Sequence, residues 1–236
     1  MPFVVAGHRG ARNLIPENTL PSLAHAVELG VNELEIDLRP SRDGRIMIIH
    51  DATVDRTTDG SGAVRELTFE QLRALDAGNG EQIPTLAEVL DATEVSLQAE
   101  IKDPAVIDPV LELLDERPGE ISRLAPTSFD AESVHRLAKA WPEVCVGLIN
   151  AVARPGLLDQ AIEVGAGRVL VGLESTDIAF VRAAHRYGLQ VNVWQVNTVA
   201  EVHQAVGLGV DGFTTDDPRV VAQAGYTLTD QGLVRT

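Results

Sequence analysis

The sequence predicts an α/β protein whose mainly parallel sheet is arranged as a (β/α) barrel. Three observations lead there. Strand-like and helix-like segments alternate from end to end of the 236 residues, the pattern of a parallel sheet flanked by helices. A weak repeat marks the same unit four times: an alanine, a glycine four residues on, then an apolar strand (AVELG at 26–30, AIEVG at 161–165, AHRYG at 184–188, AVGLG at 205–209). The glycine suits the position just past a helix end, where the chain turns left-handed. Finally, the length fits a single barrel domain, and GHRGAR after the first strand lacks the glycine spacing of an open, doubly wound nucleotide-binding sheet. That open sheet stays as the alternative.

Taken in order, the strand candidates are 3–7, 33–38, 46–49, 96–101, 124–128, 144–149, 168–172, 190–196 and 210–214. Helix candidates are 19–29, 85–92, 104–116, 130–140, 155–164, 177–187, 199–207 and 217–224. Nine strands exceed the eight of a closed barrel, so 168–172 or a terminal candidate is expected to fall short of a full barrel strand. The step from Asp37 to Ile46 is short for a parallel crossover, which needs a dozen residues or more; periodicity alone suggests a hairpin. Residues 51–83 break the rhythm with turn-rich sequence around one helical piece, LTFEQLRAL. A connection this long is uncommon unless it is functional. The expectation is one domain over 1–236 with a small inserted subdomain at 51–83, after the third strand and on the C-terminal face, where barrel active sites lie. A tolerated surface excursion is the competing reading.

Composition narrows the function. The formal charge is −16, from 19 basic and 35 acidic residues, so polyanions are repelled and nucleic acid is not an expected partner. Stable association with an anionic membrane is disfavoured for the same reason. A phosphate-bearing substrate would need positive charge supplied locally. The lone Cys145 excludes an internal disulfide and a cysteine metal site, and reads as core packing. The first residues, MPFVVAGHRG, lack the basic start and the long apolar run of a signal peptide, and no stretch reaches spanning length. The expected location is the cytoplasm.

The chemistry is expected at strand ends. His8-Arg9-Gly10 ends the first strand, Glu35 and Asp37 lie on the second, His50-Asp51 follows the third, and Glu100 and Lys102 lie on the fourth. Strand side chains alternate faces, so Glu35 with Asp37, and Gln98 with Glu100 and Lys102, share faces opposite apolar neighbours. The apolar faces belong against helices, which turns the carboxylates inward. Like charges converging there are costly, and a hard divalent cation with oxygen ligands would relieve them. Ion pairs of Glu35 and Glu100 with Arg39 or Lys102 are the competing reading. His8 and His50 suit proton transfer to and from phosphate-ester oxygens. Arg9 and Lys102 suit phosphate charge, although Arg9 could instead pair with Glu17. His25, His135, His185 and His203 fall in helical segments and read as surface or packing residues.

These motifs occur together in one order: His8-Arg9-Gly10, Pro16-Glu17-Asn18-Thr19, Glu35-Ile36-Asp37, Arg42-Asp43-Gly44, His50-Asp51, Arg56-Thr57-Thr58, Pro84-Thr85-Leu86, Glu100-Ile101-Lys102, Ser128-Phe129, Trp194-Gln195-Val196-Asn197 and Gly212 to Pro218. The chain resembles the glycerophosphodiester phosphodiesterase family from end to end. The resemblance implies a TIM-type (β/α)8 barrel with a small insertion after strand 3. It implies one divalent cation, Mg²⁺ or Ca²⁺ with Mn²⁺ possible, on Glu35, Asp37 and Glu100. His8 and His50 become the implied acid–base pair, and Arg9 and Lys102 the implied phosphate partners. The implied reaction releases sn-glycerol 3-phosphate and an alcohol from a small glycerophosphodiester, such as glycerophosphocholine or glycerophosphoethanolamine. Many members read W-T-V-N where this chain has Gln195, and A-F where it has Ser22-Leu23. Trp194 is a candidate for packing against glycerol, or a core aromatic with its N–H partnered. Asn18 and Thr19 can cap the first helix, and Asp216 and Asp217 the last. Two rivals follow: a lysophospholipase D acting on lysolipids, and a barrel that binds a phosphorylated ligand without turnover. Monomer and homodimer are both open.

Overall fold

The computed structural model describes residues 3–229 and 232–236. In chain order the elements are β1 (Val4–His8), α1 (Leu20–Glu28), β2 (Glu33–Pro40), β3 (Ile46–Ile48), α2 (Phe69–Arg73), α3 (Leu86–Ala92), β4 (Ser96–Ile101), α4 (Ile107–Glu116) and β5 (Leu124–Ser128). There follow α5 (Ala131–Ala140), β6 (Gly147–Asn150), α6 (Leu157–Glu163), β7 (Arg168–Gly172), α7 (Ile178–Arg186), β8 (Gln190–Trp194), α8 (Val199–Leu208), β9 (Gly212–Thr215), α9 (Arg219–Gln223) and the strands β10 (Tyr226–Thr229) and β11 (Gly232–Arg235).

Eight strands pair in parallel in the order β1-β9-β8-β7-β6-β5-β4-β2, and β1 pairs back onto β2. The sheet is therefore a closed parallel barrel with helices between its strands, a TIM-type (β/α)8 fold. The four repeat glycines, Gly30, Gly165, Gly188 and Gly209, all have positive φ, as a helix stop before a strand requires. Leu34, Ile36, Leu38, Leu97, Ala99 and Ile101 are buried in the main apolar cluster, which leaves Glu35, Asp37, Gln98 and Glu100 facing the barrel axis. At the opposite, N-terminal end, Arg168 on β7 and Glu33 on β2 form a buried pair at 2.8 Å.

The surplus strand is neither 168–172 nor a terminal one. β7 pairs in parallel with both of its neighbours, whereas β3 runs antiparallel to β2, with Leu38 opposite Ile48 and Pro40 opposite Ile46. β2 outruns its parallel partner β4, whose last paired residue is opposite Leu38. The chain then turns and comes straight back along β2, so no crossover is needed. The Ile49 amide donates to the Asp37 carbonyl at 2.9 Å, and His50 returns to the rim it left. The 51–83 segment thus sits between the second and third barrel strands. It gathers its own apolar cluster of Met47, Ile49, Val54, Val64, Leu72, Ala77 and Ile83. Capping boxes at Thr68/Gln71 and Thr85/Glu88 start α2 and α3, each offsetting unpaired amides at a helix start. The 144–149 candidate begins as a strand only at Gly147. Among the described residues, no helix is long and apolar enough to cross a membrane.

Candidate active site

The cavity at the C-terminal mouth is built from the β1, β2 and β4 ends and the hairpin return. Parallel register puts His8 opposite Glu35, Glu35 opposite Gln98, and Asp37 opposite Glu100. Arg9 and Gly10 both take positive φ (51° and 83°), a conformation glycine adopts freely and arginine only when held there. A side chain at Gly10 would collide with Ser22. The turn aims the Arg9 amide at Glu35 Oε2, 3.0 Å away. His8, Arg9, Glu35, His50, Glu100, Lys102 and Trp194 line one cavity with Gln98, Phe129 and Gln195. Asp37, wholly buried, touches its cations: Arg9 Nε at 3.2 Å and Lys102 Nζ at 3.8 Å.

Carboxylate oxygens of Glu35, Asp37 and Glu100 lie within 4.8 Å of one another. Burial drives the Glu35 carboxyl well above its ordinary range, and the charges of Asp37 and Glu100 push it further against the pull of Arg9. Glu100 rises for the same first reason, then through Asp37, with Lys102 at 2.7 Å opposing. Asp37 Oδ1 is buried without a hydrogen-bond partner. Three hard oxygen donors, one of them orphaned, fit a divalent cation of the Mg²⁺ or Ca²⁺ kind. The competing ion-pair reading holds only in part: Lys102 does pair with Glu100, while Arg39 donates to the His50 carbonyl instead.

Each histidine has Nδ1 on a carboxylate. His8 Nδ1 lies 2.5 Å from Asp216 Oδ1, and His50 Nδ1 lies 2.6 Å from Asp51 Oδ1. A proton on Nδ1 shared with the carboxylate leaves Nε2 as the nitrogen that can exchange a proton. Burial lowers the pKa of His8 against the hydrogen bond it donates to Asp216. His50 is also lowered, by burial and then Arg9 and Lys102, with Asp37 and Asp51 opposing. Burial alone would raise Asp216, but its bond to His8, with Arg12 and Asn197 behind it, holds it below the usual range. Trp194 meets Phe129 edge to face at 6.1 Å, and its indole nitrogen is buried without a partner.

The model of the glycerophosphoryl diester phosphodiesterase family matches residues 8–220. The chain belongs to that family. A glycerophosphodiester phosphodiesterase of Caldanaerobacter subterraneus subsp. tengcongensis is 30% identical over 236 residues, covering 94% of this chain and 97% of the relative. One of Bacillus subtilis is 28% identical, covering 92% and 84%. The solved structure of an Oleispira antarctica phosphodiesterase, in complex with its product sn-glycerol-3-phosphate, superposes with a TM-score of 0.88 at 26% identity, covering 94% of this chain and 96% of that one. The protein is accordingly a phosphoric diester hydrolase, and its acidic cluster matches the divalent-metal dependence of the glycerophosphodiester phosphodiesterases.

The fold brings His8, Arg9, Glu35, His50, Glu100, Lys102 and Trp194 to one cavity, with Asp37 buried against Arg9 and Lys102. It also brings in residues that sequence reasoning assigned elsewhere. Asp216 does not cap α9; its carboxylate belongs to His8, and Asn197 holds it through both its side-chain nitrogen (2.9 Å) and the Asp216 amide (2.8 Å). The helix-side contact falls to Asp217, which accepts from the Arg219 amide. Asn18 is not a cap either. It donates to Asp37 Oδ2 at 2.8 Å, and Thr19 alone caps α1. The Arg9–Glu17 pair exists, at 2.8 Å, alongside the Asp37 contact. Gln195 places its amide 3.3 Å from His8 Nδ1, so the departure from W-T-V-N lies against His8.

Proposed function

We propose that this chain hydrolyses small glycerophosphodiesters to sn-glycerol 3-phosphate and an alcohol, with His8 and His50 exchanging the protons. The observation that carries the reading is the pairing of two Nδ1-anchored histidines with an inward Glu35, Asp37 and Glu100 cluster in one cavity. Glu35, Asp37 and Glu100 would hold one divalent cation, Mg²⁺, Ca²⁺ or Mn²⁺, which when bound supplies charge neutralisation at the phosphoryl oxygens and acidifies a hydroxyl. Arg9 and Lys102 bind the remaining phosphate charge, Arg9 with its planar fork and Lys102 as a point charge. Trp194 forms a wall for the glycerol carbons.

In the first step the glycerol 2-hydroxyl attacks phosphorus. One histidine Nε2 takes its proton while the other protonates the departing alcohol oxygen, which leaves a cyclic phosphate. Water then opens the ring with the two proton roles reversed. Asp216 and Asp51 keep each ring in the tautomer that this exchange needs. The 51–83 segment acts as a small subdomain within a single-domain protein, carrying Asp51 and shaping the edge of the site. A cytoplasmic location, with deacylated phospholipids as the substrate source, suits the acidic charge and the small polar substrate.

The test is substrate range. Purified enzyme with added metal is given glycerophosphocholine, glycerophosphoethanolamine or lysophosphatidylcholine, and released glycerol 3-phosphate and lysophosphatidate are quantified. Turnover of the two small diesters at least about tenfold above the lysolipid is expected. Preference for lysophosphatidylcholine would replace this reading with the lysophospholipase D one, and ligand binding without product would indicate a non-catalytic barrel.

A further inference from the structure

We propose that Arg56, from the R-T-T motif of the inserted segment, is a positioning residue that braces two side chains of the site, His50 and Arg9, through one guanidinium. The inference rests on the diesterase reading above. Arg56 does not line the cavity, yet its donors are committed on two sides. Nε reaches Asp51 Oδ2 at 2.6 Å, and Nη2 reaches Asp51 Oδ1 at 3.1 Å. Nη1 reaches Glu17 Oε2 at 3.0 Å, and Nη2 reaches Glu17 Oε1 at 2.8 Å. Both carboxylates pass the constraint inward. Asp51 holds His50 Nδ1 at 2.6 Å, and Glu17 holds Arg9 Nη1 at 2.8 Å. The line His50, Asp51, Arg56, Glu17, Arg9 is unbroken.

Chain connectivity makes the link useful. Glu17 comes from the loop between β1 and α1, whereas Asp51 and Arg56 come from the segment inserted after β3. The fork therefore fixes the distance between two parts of the rim that the chain joins only through α1, β2 and β3. Asp51 is partly exposed, with 29% of its side chain open to solvent, and without Arg56 could swing away and release the His50 ring. A lysine at 56 would serve one carboxylate as a point charge; only the planar guanidinium grips both in pairs. Exposed ion pairs stabilise a fold little, and 47% of the Arg56 side chain is exposed. Its main effect is on orientation, where displacement of a reacting group by about 1 Å can cost on the order of a hundredfold in rate. A purely structural clamp between insertion and barrel would lower stability and leave kinetics alone.

The experiment compares wild type, Arg56→Ala and Arg56→Lys as full-length, metal-loaded enzymes hydrolysing glycerophosphocholine, with kcat, KM and Tm read separately and with millimolar guanidinium chloride added. The brace predicts that kcat of Arg56→Ala falls about 10- to 100-fold and KM rises severalfold as Arg9 loosens. Added guanidinium should recover part of the lost kcat in Arg56→Ala and none in wild type. Arg56→Lys should fold normally and still lose about tenfold in kcat. Kinetics within twofold of wild type in both variants, with Tm lowered, would overturn the brace in favour of a structural clamp. If Arg56→Ala does not fold, Arg56→Lys decides alone by the same criterion. Absence of turnover in wild type would instead overturn the diesterase reading itself.

Discussion

Replacing Glu35 by glutamine separates the electrostatic cost of the acidic cluster from its use. The side chain is almost wholly buried, and its pKa is raised first by that burial and then by Asp37 and Glu100. Without metal the sign follows from proton binding. Below about pH 4.5 both folded and unfolded chains hold the proton. As pH rises above that, the unfolded chain releases it while the folded chain keeps it or ionises at a cost, so stability falls. Glu35→Gln removes this loss and keeps an oxygen for the Arg9 amide, so the metal-free variant should melt no lower than wild type at pH 7.5. Metal reverses the order. A cation at a hundred times its Kd stabilises the folded chain by about 2.7 kcal/mol. For a chain of this length each kcal/mol moves Tm by roughly 2–4 °C, so wild type should gain about 5–11 °C. The variant, with a third of the charge gone, should gain little. Differential scanning calorimetry with EDTA and with a Mg²⁺, Mn²⁺ or Ca²⁺ series reads both effects. A wild-type shift below about 1 °C with every metal, or an equal shift in the variant, would refute the assignment of the cluster.

Other expectations follow from single contacts. Asp216→Asn should reduce kcat by about 10²-fold or more with little change in Tm, because the amide no longer fixes the His8 tautomer; steady-state kinetics within threefold of wild type would contradict this. Glu17 is held down to about 2 by Arg56 and Arg9 against its burial. Its contribution is therefore present above about pH 4.5 and lost as pH falls towards 2, and Glu17→Gln should cost about 1–2 kcal/mol at pH 6, discounted for the half-exposed Arg56, and almost nothing near pH 2. Urea midpoints across that range measure it, and a pH-independent difference would rule out the linkage. Phe213→Ala empties a fully buried site under β9 and should cost about 3–5 kcal/mol in urea unfolding while leaving KM unchanged; a loss under 1 kcal/mol would mean that the neighbours collapse into the space.

The barrel was readable because its local signals repeat: four helices close on a glycine of positive φ, and the barrel strands place apolar residues at alternate or successive buried positions. What failed was direction. Ile46-Met47-Ile48 looks the same whether its partner runs parallel or antiparallel, and only the shortness of the preceding turn pointed to a hairpin. The C-terminal strands β10 and β11 fell where no strand was expected, since their four-residue runs are half polar and half exposed. At the site, the metal candidates were legible because Glu35 and Asp37 differ by two positions on one strand, and Glu100 sits on its neighbour. The carboxylate behind His8 was not. Asp216 is 208 residues away, brought close only by closure of β1 onto β9, and D-D-P before a helix reads locally as a cap. Asn18 was hidden in the same way by its place beside the true cap, Thr19.

The most direct measurement is release of sn-glycerol 3-phosphate from glycerophosphocholine by wild type and His50→Ala, each with EDTA and with added Mg²⁺, Mn²⁺ or Ca²⁺. The account predicts metal-dependent release that EDTA abolishes and that falls by at least about 10²-fold in His50→Ala. Release that survives EDTA, or that His50→Ala leaves intact, would contradict it.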